Sequence, residues 1–406
     1  MQHSAHLWPA RLKGCPEDFR VVEEISLQPR GTGAYRLYRL TKRGWGTEEL
    51  VRHLARRLGL PRGALAYGGR KDRGAVTVQH LTIRGRRDRS LDGDGFELRS
   101  LGFVDRPMGP DAIVANRFAI TLRGLDPAGR RDIAENLRQL ARRGVPNYFD
   151  DQRFRSFTQY RCFPASLLIR GEWEAGLRLL LTTPEPGAPR RERERLALLG
   201  EVGGRWEECL PLARHPHERR ALEAMARAGA ALALAEFPRE SLSMLLAAYQ
   251  SQLWNRALAA AIARHAPASV TLPGVAGEYL FPAPEDEQLP DALQALVIPT
   301  PGPRLAAVEG EGKEVLQYVL AEEGITPAAM ALRPLPTAFL RSTPRNAFVV
   351  PTEVTLEWLP PDADQAPAAV ARLTFSLPPG AYATMVVRGA LVRRRGQGVS
   401  PTARDR

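Results

Sequence analysis

The distribution of strand-like and helix-like segments along the chain constrains its fold more than any other feature. Short segments with alternating apolar positions, which are typical of strands, occur in residues 1–171 and again in residues 339–406. Between them the chain is mainly rich in Ala and Leu with helical spacing. Strands at both ends around a helical middle predict an α+β core with an insertion. We therefore expect one domain over 1–171 and 339–406, and an inserted, mainly helical domain over 172–338.

Apolar periodicity and a composition rich in Ala and Leu predict the longest helices of the chain. They are expected over residues 131–143, 218–236 and 241–265. Gly144 follows the first of these directly, as is typical of a helix C-terminal cap.

The net charge of the chain predicts an anionic partner. Lys and Arg number 57 against 45 Asp and Glu, which gives a formal net charge of +12. Nucleic acid is the commonest partner of such proteins, and a membrane surface comes second. No run of about 18 apolar residues is present, which excludes a spanning helix. The N-terminus has no apolar signal sequence, so we expect a cytoplasmic protein that does not bind a membrane.

The cysteine spacing and the missing motifs restrict the chemistry. Cys15, Cys162 and Cys209 share no C-x-x-C spacing, which argues against disulfides and against a zinc site. We find no phosphate-binding loop, dinucleotide fingerprint, nucleophile elbow or H-E-x-x-H motif. We therefore expect side chains to perform the chemistry without a metal or a cofactor.

One loop carries the strongest candidate for a reactive group, the carboxylate of Asp72. The loop lies within Gly68–Gln79, between two strand-like segments, and its pair of glycines permits a sharp turn. The cations Arg70, Lys71 and Arg73 are expected to favour the ionised carboxylate and to attract phosphate. Taken alone, the composition of the loop favours a charged β-turn without catalytic function.

Four stretches in order resemble the tRNA pseudouridine synthase D (TruD) family. They are Pro16-Glu17-Asp18-Phe19-x-Val21-x-Glu23, Gly69-x-Lys71-Asp72-x-x-Ala75-x-Thr77, Gly144-Val145-Pro146-Asn147-Tyr148-Phe149-x-x-Gln152-Arg153-Phe154, and Leu377-Pro378-x-Gly380-x-Tyr382-Ala383-Thr384-x-Val386-x-Arg388. Tyr249–Asn255 is similar to a helix of the family's inserted domain. The chain differs from the family at Asp150 and Arg155, where Gly is usual, and this puts the shape of the local loop in doubt.

The resemblance implies both a fold and an activity. The fold is the pseudouridine synthase catalytic fold, a mixed β-sheet with helices, interrupted by a mainly helical TruD-specific insertion, with an RNA-binding cleft between the two. The activity is the isomerisation of uridine to pseudouridine in tRNA, typically at position 13 in the D-arm, without a cofactor. The expected partner is therefore tRNA, and we expect a monomer without a metal.

The resemblance also assigns roles to individual residues. Asp72 is the catalytic carboxylate, acting on a nucleotide that is flipped into a pocket. It would stabilise the oxocarbenium-like ribose, attack it, or remove a ribose proton, and the sequence does not choose among these routes. Phe19 and Tyr382 are expected to stack on the substrate, and Asn147 to contact the uracil edge or to orient Asp72. Core packing of the two aromatic residues and capping of a turn by Asn147 are the alternatives.

Further residues near these motifs are candidates for RNA contacts. They are Lys13, Lys71, Arg73, Phe149 and Arg153. Lysine is rare in this chain, at four of the 57 basic residues, and two of the four lie beside the recognised motifs. Because Lys and Arg differ in pKa and donor geometry, this placement indicates a role that Arg would serve less well.

Two other functions compete with the tRNA isomerase. One is a non-catalytic module that binds or folds RNA, and the other is an isomerase whose main target is another RNA. A pure binding module has no need for a carboxylate among cations that attract phosphate. The Lys71-Asp72 pair therefore favours an enzyme.

Overall fold

The computed structural model describes residues 2–4, 7–61, 63–202, 204–266, 268–286, 288–335, 340–360 and 368–394. The chain divides into two compact units. We call residues 5–145 with 349–406 the sheet unit, and residues 1–4 with 146–348 the helical unit.

The limits of the two units differ from the predicted domain boundaries. Residues 146–171 and 339–348 belong to the helical unit rather than to the unit with the large sheet. The composition changes only near Gly171, but Phe149 and Arg153 are hydrogen-bonded by side chains of the helix over 239–265. Long-range contacts, which composition does not record, therefore set the limits of the units.

The strands, in chain order, are β1 (Gln2–Ser4), β2 (Phe19–Ile25), β3 (Tyr35–Lys42), β4 (Leu65–Tyr67), β5 (Val76–Arg84), β6 (Leu91–Gly93), β7 (Phe96–Val104), β8 (Ile113–Leu125), β9 (Val145–Pro146), β10 (Ser269–Gly274), β11 (Gly277–Pro282), β12 (Val297–Pro299), β13 (Pro344–Asn346), β14 (Phe348–Val349), β15 (Thr352–Leu359) and β16 (Ala369–Leu377).

The α-helices are α1 (Thr47–Arg57), α2 (Arg130–Arg143), α3 (Arg155–Tyr160), α4 (Pro164–Ile169), α5 (Trp173–Thr182), α6 (Arg190–Val202), α7 (Pro216–Ala228), α8 (Ala230–Ala235), α9 (Arg239–His265), α10 (Asp291–Gln294), α11 (Glu311–Glu322) and α12 (Ala383–Ala390). Short 3-10 helices occupy Pro16–Asp18, Pro110–Ala112, Pro127–Gly129, Asp151–Phe154, Trp206–Leu212 and Pro327–Ala331.

The predicted long helices are present, with one difference. The helices expected over 131–143 and 241–265 are found as α2 and α9. The helix expected over 218–236 is instead two helices, α7 and α8, separated at Gly229. Gly229 has φ 87° and ψ 174°, which lies outside the helical region. Glycine adopts such a conformation more readily than other residues do, and α7 therefore ends there.

A large mixed sheet forms the framework of the sheet unit. Its strands follow the order β15-β16-β8-β2-β5-β3-β7-β6, and β4 pairs with β5 outside this path. Strands β2 and β5 are parallel, and the other neighbours are antiparallel. A parallel pair requires a long crossover, and here β3, α1 and β4 supply it.

The crossover carries its own hydrophobic core. Leu50 and Leu54 of α1 pack with Tyr38, Leu40 and further apolar residues of β4, β5 and β7. These four side chains are fully buried. Burial of apolar surface stabilises a fold by about 25 cal/mol per Å². This burial is the main contribution that holds the crossover in place. The packing fixes the strand β3 and the loop that leads into β5.

The helical unit is built around α9. This helix is 27 residues long and buries apolar side chains on several faces, including Trp254 and Leu258. It contacts α11, α4 and the β10–β11 hairpin. A helix that is apolar on several faces is typical of the centre of a helical domain.

Candidate active site

The register of the central strands brings several candidate residues to one end of the sheet. In the parallel pair Arg20 of β2 lies opposite Val76 of β5, so Phe19 and the residues that precede Val76 lie at the same end. Strand β3 is antiparallel to β5 with Lys42 opposite Thr77, and it therefore ends there as well. Residues far apart in sequence thus meet at the loop that contains Asp72.

Asp72 is a partly exposed carboxylate that accepts from Lys13 and from Gly74. Lys13 Nζ forms an ion pair with Asp72 Oδ2, and the N–H of Gly74 donates to Oδ1 at 3.1 Å. Burial raises the pKa of Asp72, but the hydrogen bonds from Lys13 and Gly74 and the charges of Lys13 and Lys42 outweigh it. The pKa therefore lies below its usual range, and the carboxylate is ionised at neutral pH.

Lys13 is held in a strained turn beside Asp72. Its φ of 58° lies in the left-handed region, which costs a residue other than glycine about 1–2 kcal/mol. The buried carboxylate of Asp18 fixes this turn because it accepts from the Cys15 N–H at 3.1 Å and from Arg123 Nη2 at 2.8 Å. The ammonium of Lys13 also lies 4.5 Å from the ring centre of Phe19. Strain of this kind is typical of functional positions.

Phe19 and Tyr382 occupy different environments within the sheet unit. Phe19 is 6% exposed and packs edge-on against Phe118, with ring centres 6.2 Å apart. Its burial favours the packing alternative for most of the ring. Tyr382 is half-buried and directly precedes α12 in an extended conformation, φ −110° and ψ 119°.

A buried lysine that the sequence did not single out lies beneath the loop. Lys42 Nζ donates to the carbonyl oxygens of Trp45 at 2.8 Å, Asp72 at 2.9 Å and Lys71 at 3.3 Å. Lys42 is fully buried. Burial lowers its pKa to about 8, although the charge of Asp72 opposes this fall. Lys42 therefore holds the main chain of the Asp72 loop, and the scarcity of lysine was the only signal in the sequence that could have identified it.

The cations of the loop itself lie against glutamates. Lys71 Nζ is 2.9 Å from Glu23 Oε1, and its side chain is only 10% exposed. Arg70 forms an ion pair with Glu48, and Arg73 lies 3.7 Å from Glu49. The pKa of Asp72 is lowered by hydrogen bonds from Lys13 and Gly74 and by the charges of Lys13 and Lys42, contributions that the local sequence did not indicate.

Glu23 connects the loop to the strands below it. This buried carboxylate accepts the N–H of His80 at 2.8 Å as well as pairing with Lys71. Burial raises the pKa of Glu23, but hydrogen bonds from His80 and the charge of Lys71 lower it below its usual value. The Lys71–Glu23 pair thus ties the loop to β2 and β5.

In the helical unit, α9 holds the Asn147-Tyr148-Phe149 loop. The side chain of Asn255 accepts the N–H of Phe149 and donates to its carbonyl oxygen, each at 2.9 Å. Trp254 packs edge-on against the Phe149 ring at 5.5 Å, and Ser251 accepts from Arg153 Nε at 3.2 Å. The motif Tyr249–Asn255 is therefore the segment that positions this loop.

Asn147 is 6% exposed and has a partner that sequence reasoning missed. Arg345 Nη2 donates to both Asn147 Oδ1 and the Asn147 carbonyl oxygen at 2.7 Å. The guanidinium also lies 4.0 Å from the ring centre of Phe149. Arg153 is exposed, and its guanidinium is 5.9 Å from the same ring. Two arginines of the helical unit therefore lie close to the Phe149 ring.

The two departures from the family pattern do not strain this loop. Asp150 has φ −80° and ψ 165°, and Arg155 has φ −56° and ψ −37°. Both are ordinary conformations for any residue, so glycine is not required at either position. The substitutions are compatible with the loop that α9 holds.

The comparisons with known proteins identify the family. The family model "tRNA pseudouridine synthase D (TruD)" matches residues 8–390. The chain is similar to tRNA pseudouridine synthase D of Leptospira interrogans, with 27% identity over 95% of this chain and 96% of that protein. It is also similar to the protein of that name from Aquifex aeolicus, with 29% identity over 93% of this chain and 97% of the relative.

A solved structure has the same fold. The crystal structure of a putative TruD protein from Methanosarcina mazei matches with a TM-score of 0.68 and 23% identity, over 95% of this chain and 94% of that one. The chain thus has a mixed α+β fold with a large mixed sheet, as the sequence predicted.

The chain belongs to the TruD family of tRNA pseudouridine synthases. It is accordingly an isomerase that modifies tRNA, and the interpretation as an enzyme is confirmed. Within the part of the chain that the structure describes, no helix is long and apolar enough to cross a membrane.

Proposed function

We propose that this synthase isomerises the uridine at position 13 in the D-arm of tRNA, and that Asp72 acts on the ribose of the flipped nucleotide. The Lys13–Asp72 ion pair supports this most, because it provides an ionised carboxylate whose side chain is 31% exposed. A protonated carboxyl group would serve none of the three routes, which require charge stabilisation, nucleophilic attack or proton removal. The three routes stay open.

Lys13 has a second use in this proposal. Cleavage of the bond between uracil N1 and ribose C1′ develops positive charge on the ribose and negative charge on the uracil. Asp72 is suited to the first charge and the ammonium of Lys13 to the second. Because both groups are held in place before the substrate arrives, little reorganisation is needed during the reaction.

We propose that the sheet unit is the catalytic domain and that the helical unit is the TruD-specific insertion. The substrate contacts in the sheet unit are Phe19 and Tyr382. The half-buried Tyr382 has more ring surface available for stacking than the buried Phe19. A cytoplasmic location, a monomeric state and an RNA-binding cleft stay predictions from the sequence and the resemblance.

In the helical unit we propose that Asn147 contacts the uracil edge of the substrate, and that Phe149 and Arg153 contact RNA. In the sheet unit Arg73 is suited to phosphate because its side chain is 69% exposed. Lys71 is less available, since its ammonium is bound to Glu23, and we assign it to holding the loop.

The substitution Asp72→Asn tests the catalytic assignment. It keeps the size of the side chain but removes the negative charge, so we expect no detectable pseudouridine and a tRNA affinity within a few-fold of the parent. Pseudouridine is measured by chemical adduct mapping on the complete tRNA pool, and affinity by filter binding. The matched control is Asp105→Asn, an exposed carboxylate of the sheet unit whose side chain is 73% exposed and pairs with Arg30.

Product formation by Asp72→Asn at the parental rate would show that Asp72 is not the catalytic carboxylate. The same mapping tests the position in the RNA, because modification anywhere other than position 13 contradicts that part of the proposal. A signal confined to another RNA class would favour the alternative isomerase instead.

A further inference from the structure

Arg345 holds the side-chain amide of Asn147 in one orientation. Arg345 Nη2 donates to Asn147 Oδ1 at 2.7 Å, and Asn147 Nδ2 donates to the carbonyl oxygen of Asn346 at 3.0 Å. A guanidinium only donates and a carbonyl only accepts. If the amide were flipped, its amino group would face the donors of Arg345, and its oxygen would face the carbonyl oxygen of Asn346. Because Asn147 is buried, both losses would go uncompensated.

Arg345 is itself held in place by aromatic rings. Its guanidinium lies 4.0 Å from the ring centre of Phe149 and 4.9 Å from that of Trp254. It also donates through Nε to the Asn147 carbonyl oxygen at 3.2 Å. A planar guanidinium stacks on such rings and forms several directed bonds at once, whereas an ammonium does not. The direction of the donor that meets Asn147 Oδ1 is thus fixed by packing.

The fixed amide leaves a defined hydrogen-bonding pattern. An asparagine side chain has two lone pairs on Oδ1 and two hydrogens on Nδ2. Arg345 and Asn346 use one of each, so Asn147 retains the capacity to accept one further bond through Oδ1 and to donate one through Nδ2. Uracil offers the complementary pair, an N3–H donor beside a carbonyl acceptor. Cytosine offers the reverse, an N3 acceptor beside an N4 amino donor.

We propose that Arg345 makes the synthase selective for uridine over cytidine by fixing the orientation of the Asn147 amide. The inference rests on the proposed contact between Asn147 and the target base. Arg345 is a positioning residue in this arrangement, since it acts through Asn147. Cytidine at the target position would find a donor facing its amino group and an acceptor facing its N3.

The test compares two tRNA transcripts that differ only in uridine or cytidine at the modified position. Their dissociation constants are measured with Asp72→Asn protein, which allows both to be compared without turnover. We expect a preference for uridine of at least tenfold, falling to twofold or less with Arg345→Met. Met removes the donors but retains an apolar stem over the rings. Asn147→Ala should lower the preference to the same extent.

A double-mutant cycle on kcat/KM of the otherwise unmodified enzyme separates positioning from general stability. If Arg345 acts through Asn147, Arg345→Met should reduce kcat/KM at least tenfold alone and no more than twofold in the Asn147→Ala background. Arg345→Lys keeps the positive charge but lacks the planar guanidinium, and it should also lose the uridine preference. That variant carries the test if Arg345→Met does not fold, as judged by its thermal transition.

The outcomes distinguish two failures. If Asn147→Ala changes neither the preference nor kcat/KM, Asn147 does not contact the base, and the proposed substrate contact is wrong. If Asn147→Ala abolishes the preference but the Arg345 variants retain it, only the role of Arg345 is overturned. Equal losses of kcat/KM in both backgrounds with an unchanged preference would also overturn it, because they indicate a purely structural effect.

Discussion

Replacing Lys42 with methionine should impair both the stability and the activity of the synthase. The ammonium donates to the carbonyl oxygens of Trp45, Lys71 and Asp72 at 2.8, 3.3 and 2.9 Å. Hydrogen bonds to a charged group contribute about 1.5–3 kcal/mol each. The fall in the pKa of Lys42 from 10.5 to about 8 corresponds to a net penalty of roughly 3 kcal/mol on its charged form, mainly from burial, which methionine would relieve. We expect a net loss of about 1.5–6 kcal/mol in the free energy of unfolding.

The effect of Lys42→Met on activity follows from the loop. Two of the three carbonyls belong to Lys71 and to Asp72 itself, so the substitution frees the main chain that carries the carboxylate we propose as catalytic. A displacement of about 1 Å in a reacting group costs on the order of 100-fold in rate. We therefore expect kcat to fall by about 10- to 100-fold, with a smaller change in tRNA affinity.

The measurements are single-turnover kinetics and urea unfolding of the full chain. Lys313→Met is the matched control because it makes the same exchange at a partly exposed lysine that pairs with Glu309 at 3.2 Å. It should change stability by less than about 1 kcal/mol and leave kcat unaltered. Parental kcat and unfolding midpoint in Lys42→Met would refute the view that the lysine holds the loop.

The same lysine predicts how stability and activity depend on pH. Because the folded pKa is about 8 and the unfolded value is near 10.5, the unfolded chain binds more protons between these limits. The contribution of Lys42 to stability therefore rises with pH through this window, while its charge and one of its three donor hydrogens are lost. We expect kcat to fall above about pH 8 without unfolding. In Lys42→Met this step should be missing.

Two further predictions concern Asp72 and the Phe149 loop. Because the pKa of Asp72 is lowered, kcat should stay constant as pH falls to about 5. An ordinary Asp begins to protonate at about this pH. Lys13→Gln should lower kcat and move the acidic limb of the pH–rate profile to higher pH, and an unmoved limb would contradict the ion pair. Asn255→Ala removes two bonds to the main chain of Phe149, and should destabilise the chain by about 1–3 kcal/mol in urea unfolding and weaken tRNA binding. Unchanged affinity and stability would show that the loop is held by other contacts.

Local patterns in the sequence predicted the elements better than the partners. Helix α2 follows from apolar periodicity, α9 follows from a composition rich in Ala and Leu, and the candidate Asp72 follows from the loop motif. The partner of Asp72 does not, because Lys13 lies 59 residues away and reaches it only through the register of β2 and β5. The sequence neighbour Lys71 is bound instead to Glu23, 48 residues distant.

In the helical unit, too, local patterns did not predict the partners of the residues. Arg345 meets Asn147 across 198 residues of sequence, and nothing in the local pattern around either residue indicates the contact. The change in composition near Gly171 was interpreted as a domain boundary. The compact unit that contains Gly171 begins at Pro146, and the domain boundary itself stays a prediction. Pairings at long range depend on the fold as a whole, and composition and periodicity contain no record of them.

The positions of the lysines combine a local sequence signal with contacts at long range. Three of the chain's four lysines lie at the Asp72 loop: Lys13 and Lys42 contact it, and Lys71 is part of it. The other 53 of the 57 Lys and Arg residues are arginines. Lys42 shows why arginine does not replace it. Three carbonyl oxygens surround one buried nitrogen, an arrangement that matches the three hydrogens of an ammonium, whereas the planar guanidinium is larger and directs its donors in one plane. Lys42→Arg should therefore lose kcat much as Lys42→Met does, although it preserves the charge. A parental rate in Lys42→Arg would show that charge alone, rather than donor geometry, keeps lysine at this position.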